Sequence, residues 1–176
     1  FFGPLVIAGV YADAKGIEKL LQLGVKDSKT LQDKAIHSLA RQIKQHCDHQ
    51  IVILNPLKYN EIYQSFKNLN SLLAWGHATV IESLCERTGC KEALIDQFAD
   101  ERVVIQALKR KKVELNLTQR TKGESDPIVA AASILARDTF VCRLAALSEE
   151  AGFDLPKGIQ HPHLALIHHE HAGTEH

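Results

Sequence analysis

Three carboxylates stand where chemistry is plausible on residue type and spacing alone. Asp96 closes the short apolar run Ala93-Leu94-Ile95. Glu124 and Asp126 lie in a charged stretch, Arg120 to Asp126, that gives way to the small residues Ala130-Ala131-Ala132-Ser133. An acid at the exit of a buried strand sits where α/β sheets place their sites. If neighbouring strand ends bring such acids together, they offer hard oxygen donors to a magnesium-type cation, which keeps several waters and needs few carboxylates. Clustered acids of this kind hold paired ions in phosphoryl chemistry. Each acid also has a structural reading. Asp96 fits a turn in which it bonds its own backbone. Asp126 precedes Pro127 and fits a helix N-cap. Glu124 has no comparable structural role, which makes it the preferred ligand of the pair.

Donors for a phosphate gather near these acids. Lys122 adjoins Glu124, and a cation there suits a phosphate held beside a metal. Lys26, Ser28 and Lys29 lie on a polar loop and offer backbone-phosphate contacts. Asn68 and Asn70 stand near a helix start and fit either sugar-phosphate contacts or a cap. The run Lys109-Arg110-Lys111-Lys112 reads first as a solvated face. His168 and His171 in the tail have the spacing of two metal ligands on one helix turn, without a Cys or Asp at standard spacing beside them.

The elements that must position these groups follow from periodicity. The run from Leu5 to Ala12 is apolar and β-branched, a buried strand. A short helix ends at Gly24, and Ser28 or Thr30 is placed to cap the next one, in which Leu31, Ala35, Leu39 and Ile43 recur at helical spacing. A second strand stops at Pro56. A short helix and a longer one lead to the strand ending at Asp96. A further helix precedes an alternating strand from Val113 to Arg120, and a long helix runs from about Pro127 to Ala151, with Gly152 at its C′ position. Strands alternating with helices predict an α/β domain with a mixed sheet flanked by helices.

Composition narrows the class. The chain has 176 residues, 21 bases and 21 acids, so any nucleic-acid footprint must be local. Four cysteines, none in a C-x-x-C pair, read as reduced thiols in a cytoplasmic protein. No apolar run approaches a membrane span. No helix clusters Arg and Asn for reading a DNA groove. The chain contains no Met and opens on Phe1 in what reads as a strand in progress, so a fragment with residues missing upstream is expected.

The segments "FFGPLVIAGVYA", "LGVKDSKTL", "NLNSLLAWGHATVI", "LIDQFAD", "RTKGESDPIVAAASILARDTF" and "FDLPKG" together resemble bacterial ribonuclease HIII, of the type 2 ribonuclease H group. Their order and spacing carry the resemblance from Phe1 to about Gly158. It implies a ribonuclease H-like fold and an endonuclease that cuts the RNA strand of RNA–DNA hybrids with Mg2+ or Mn2+, leaving a 3′-hydroxyl and a 5′-phosphate. Of the family's four acids, the third maps onto Asp96. The fourth maps onto Glu124 in Lys122-Gly123-Glu124, or onto Asp126 if the gap before the Ala-Ser pair slides. The first two, an adjacent Asp-Glu pair, fall upstream of Phe1, so this fragment is expected to be nearly inactive by itself. Residues 1–158 are expected to form the catalytic domain, incomplete at its N-terminus, and 159–176 a divergent His-rich tail. The expected partner is a hybrid duplex, with no membrane and no obligate protein. The rival class is a hybrid-binding module without catalysis.

Overall fold

A computed structural model describes residues 3–25, 28–66, 68–157 and 163–168, with Ser28 and 163–168 described by backbone alone. The elements run β1 (Leu5–Ala12), α1 (Ala14–Gln22), α2 (Asp33–His46), β2 (Asp48–Leu54), α3 (Pro56–Tyr63), α4 (Leu69–Thr88), β3 (Glu92–Asp96), α5 (Glu101–Arg110), β4 (Asn116–Arg120), α6 (Pro127–Ala151) and β5 (His163–His168). Single 3₁₀ turns occupy Ser28–Thr30 and Gly123–Ser125. One five-stranded sheet has the order β2-β1-β5-β3-β4. It is mixed: β1 pairs antiparallel with β2 and parallel with β5, while β3 pairs antiparallel with β5 and parallel with β4.

Alternation along the strands divides the core into two layers. Val6, Ala8, Val10 and Ala12 of β1, with Leu94 of β3, pack against α1, α2 and α6. Ile7, Ala93 and Ile95 point the other way, onto α4 and α5. Helices on both faces explain why β1 reads as a nearly continuous apolar run. At Gly76 of α4 a Cβ would lie 2.0 Å from Ile7 Cδ1, so a glycine is what lets this helix lie so close to the sheet.

Most expected boundaries match. Leu5–Ala12 and Pro127–Ala151 form as read, and Gly24 and Gly152 take the left-handed conformation that ends a helix. Asn55, Asn68 and Asp100 cap their helices through their side chains. Three readings need correction. Ser28 and Thr30 do not cap α2; they form a turn of their own, and the N-cap is Gln32, with no side-chain bond. The last strand before α6 is shorter than Val113–Arg120, because Lys112 turns the chain with φ 57° and pairing starts at Asn116. His168 ends a strand rather than lying on a helix, so the helical spacing proposed for His168 and His171 does not arise, and His171 lies outside the described residues.

All four cysteines are free. Burial pushes the Cys47 and Cys85 thiols up to about 11, which keeps them protonated and unreactive near neutral pH. No described helix is long and apolar enough to cross a membrane.

Asp33 ties α2 to the chain around α6. Its carboxylate meets Lys157 and, at 3.1 Å, the Arg137 guanidinium. The hydrogen bond from Lys157, joined by Arg137, holds the Asp33 carboxyl below its ordinary value against the opposing effect of burial. A depressed carboxylate stabilises above its unfolded value, near pH 4, and loses that contribution as pH falls through the lower folded value. Asp33→Asn should therefore reduce stability at pH 7 by no more than about 1 kcal/mol, since the pair is partly exposed, and the gap should close below about pH 4. A gap that persists unchanged in acid, measured by denaturant unfolding, would count against this assignment. For the helix–sheet contact, Gly76→Ala should lower stability by about 1–3 kcal/mol through overpacking. Adding Ile7→Val, which removes the clashing methyl, should recover part of the loss; equal additive losses would show that the two positions do not touch.

Candidate active site

The site is built at the ends of two adjacent parallel strands. Asp96 is the last residue of β3 and stands in register with Arg120, the last of β4. The ladder extends one step further, where the Gln97 N–H donates to the Arg120 carbonyl at 2.9 Å. Alternation puts the Asp96 side chain on the same face as Leu94, the face covered by α6. Beyond Asp96 the chain is held down by Phe98, whose ring stacks on His77 of α4 at 5.0 Å and 15°. His77 is wholly buried.

After β4 the chain reverses at Lys122, which adopts a left-handed backbone (φ 56°, ψ 43°). That reversal carries Gly123 directly onto Asp96. The Gly123 N–H donates to Asp96 Oδ1 at 2.9 Å. A Cβ at position 123 would lie 3.1 Å from Asp96 Cα and 3.3 Å from Oδ1, so a residue without a side chain is what allows the approach. Lys122 is exposed and Glu124 half-buried, one on either side of this contact.

Asp126 has a different task. Its carboxylate accepts the Ile128 N–H at 2.9 Å, and Pro127 occupies the first helical position. This is the N-cap role read from the sequence. Ala130, Ala131, Ala132 and Ser133 are all buried against the sheet. The helix start is thereby fixed, and with it the turn that touches Asp96.

The other predicted residues are dispersed. Lys26 lies outside the described residues, and Ser28 opens a turn with its side chain undescribed. Lys29 is exposed in that turn, which packs on α6. Asn70 is exposed in the first turn of α4, on the opposite side of the sheet from α6, while its neighbour Asn68 is the cap. In the basic run, Lys111 pairs with Glu82 at 3.4 Å, and Lys112 makes a turn. Sequence reasoning missed the role of Gly123. A glycine directly before a candidate acid was the available signal, since glycine marks a close approach of backbone to another group.

The donor set suits a hard divalent cation. Asp96 accepts one backbone N–H through Oδ1, and an ionised carboxylate has about four acceptor positions. Capacity for an ion therefore remains, and the Gly123 bond fixes the orientation of the group. The same bond predicts a contrast in stability. Asp96→Asn retains a carbonyl oxygen able to accept the Gly123 N–H, whereas Asp96→Ala strands that buried donor at a cost of about 1–3 kcal/mol. Chemical unfolding should rank Asp96→Ala below Asp96→Asn; the reverse order would remove the hydrogen bond from the account.

Comparison with known proteins gives the family and the fold. The sequence profile of the family described as Ribonuclease HII matches residues 1–162. A protein of Protochlamydia amoebophila named Ribonuclease HIII is 63% identical over 158 residues, covering 90% of this chain and 52% of its own. The Ribonuclease HIII of Chlamydia pneumoniae is 50% identical over 161 residues, covering 90% and 54%. The chain thus spans about half the length of the curated relatives it matches. Among solved structures, a mutant of Bst-RNase HIII superposes with a TM-score of 0.82 at 32% identity, over 92% of this chain and 54% of that one. Bst-RNase HIII in complex with Mn2+ gives 0.77 at 28% identity, over 88% and 58%. The fold is that of the type 2 ribonucleases H, as expected from the sequence, and the chain belongs to the Ribonuclease HII family.

Proposed function

We propose that this chain supplies catalytic residues to an endonuclease that hydrolyses the RNA strand of RNA–DNA hybrids, leaving a 3′-hydroxyl and a 5′-phosphate. The observation that carries the reading is the Asp96–Gly123 contact, which sets the loop bearing Lys122 and Glu124 against the exit of β3. Asp96 and Glu124 are the proposed ligands for Mg2+ or Mn2+; the Mn2+ complex of Bst-RNase HIII supports a divalent ion in a similar protein. When bound, such ions supply an activated water and charge stabilisation for the leaving oxygen. The chain's own groups do the rest. Asp96 keeps a fixed orientation through the Gly123 N–H. Lys122 offers its ammonium to the phosphate backbone. Lys26, Ser28, Lys29 and Asn70 are proposed to contact the duplex backbone, reading hybrid shape rather than base sequence. Asp126 serves as the cap that anchors α6. A cytoplasmic site of action, with no obligate protein partner, fits this role.

Three substitutions in the intact protein test the assignment. Asp96→Asn and Glu124→Gln should each reduce hybrid cleavage on the order of 100-fold or more, as expected for losing transition-state charge stabilisation. Asp126→Asn should keep most activity, because Asn caps a helix about as well as Asp. Loss at Asp126 with retention at Glu124, measured on a labelled hybrid at fixed metal concentration, would exchange their roles. Hybrid binding without turnover in the unmodified intact protein would favour a non-catalytic binding module instead.

A further inference from the structure

A second group of chemically competent side chains lies away from Asp96. His37 projects from α2, and Asp138 and Cys142 project from α6 one helical turn apart. Asp138 lies roughly 18 Å beyond Asp126 along α6, at a rise of 1.5 Å per residue. His37 Nδ1 is 2.9 Å from Asp138 Oδ1, and Cys142 Sγ is 4.0 Å from the same oxygen. The three donor atoms lie within 4.8 Å of one another. Asp138 is only 7% exposed, whereas His37 and Cys142 are reached by solvent.

We propose that His37, Asp138 and Cys142 form a zinc site that staples α2 to α6. The donor types select the metal: imidazole nitrogen, thiolate sulfur and carboxylate oxygen together suit Zn2+, whereas Mg2+ and Mn2+ favour oxygen. Tetrahedral zinc, with bonds near 2.0–2.3 Å, needs donors about 3.3–3.6 Å apart. The two observed separations bracket that range, so small side-chain rotations suffice. Three protein ligands leave the fourth position to water at the exposed side of the cluster. Binding exchanges the Cys142 thiol proton for the ion, and one proton is released. The site is independent of the reading given to Asp96 and Glu124. Its effect would be to join α2 to the same helix whose first turn fixes the Gly123 loop.

Cobalt substitution tests this without reference to nuclease activity. Co2+ added to the reduced full chain should give a thiolate-to-cobalt charge-transfer band, which the tail histidines alone cannot produce. Cys142→Ala should abolish the band, and Cys85→Ala should leave it intact. His37→Gln should weaken Zn2+ binding at least tenfold in competition with a chromophoric indicator, and Zn2+ should protect Cys142 from alkylation. Since His37 and Cys142 are exposed, both variants should fold, and circular dichroism checks this. A band that survives Cys142→Ala, no band in the unmodified chain, or equal Zn2+ affinity in His37→Gln would overturn the proposal and leave His37–Asp138 as a hydrogen bond between helices.

Discussion

The hydrogen bond from the Gly123 N–H to Asp96 Oδ1 joins two parts of the chain that are 27 residues apart. Everything near the candidate site depends on that junction. On one side, the β3–β4 ladder fixes the backbone of Asp96 up to its last pair and one residue beyond. On the other, the Asp126 cap and the buried small residues fix the first turns of α6. The short turn between them has little freedom left. The turn sits so close to the end of β3 that a Cβ added at Gly123 would lie 3.1 Å from the Asp96 Cα. Loop residues at a site normally lose precision through motion. Here rigid elements hold the loop at both ends, which is the arrangement a metal-binding acid requires.

The sequence made these supports readable to different degrees. Strand β1 and helix α6 were legible because each carries a strong local pattern: an apolar run after Gly3-Pro4 in one case, Asp-Pro at the start and Gly at the end in the other. The division of labour between Glu124 and Asp126 was half legible. The cap on Asp126 follows from the proline after it and is present in the structure. What Glu124 does has no local signature. The Gly123 contact was illegible in detail, because a hydrogen bond between distant segments leaves no periodicity. The failure at Ser28 and Thr30 has a similar cause. Both are good capping residues, yet the chain spends them on a separate turn that packs against α6, and tertiary contact overrides local preference.

The segment His163–His168 shows how composition can mislead. His168 with His171 has the spacing of a metal-ligand pair, yet between His163 and His168 lies the apolar run Leu164-Ala165-Leu166-Ile167. Four consecutive apolar residues bounded by polar ones are consistent with a fully buried strand. In the structure this segment occupies the middle of the sheet, between β1 and β3, and is paired on both sides. A central strand, with neighbours on both edges and helices on both faces, tolerates a continuous apolar sequence that an edge strand would not.

The left-handed backbone of Lys122 bears on how its side chain should be regarded. Lys112 has nearly the same φ and only turns the chain, so the conformation alone marks no site. A non-glycine residue in this region gives up about 1 kcal/mol relative to an ordinary conformation. Glycine would accept the same angles without strain, and asparagine with less. At the reversal beside Asp96 the chain instead carries a long cationic side chain. The reversal therefore sets a lysine one residue from the Gly123–Asp96 contact, at a small cost in backbone conformation.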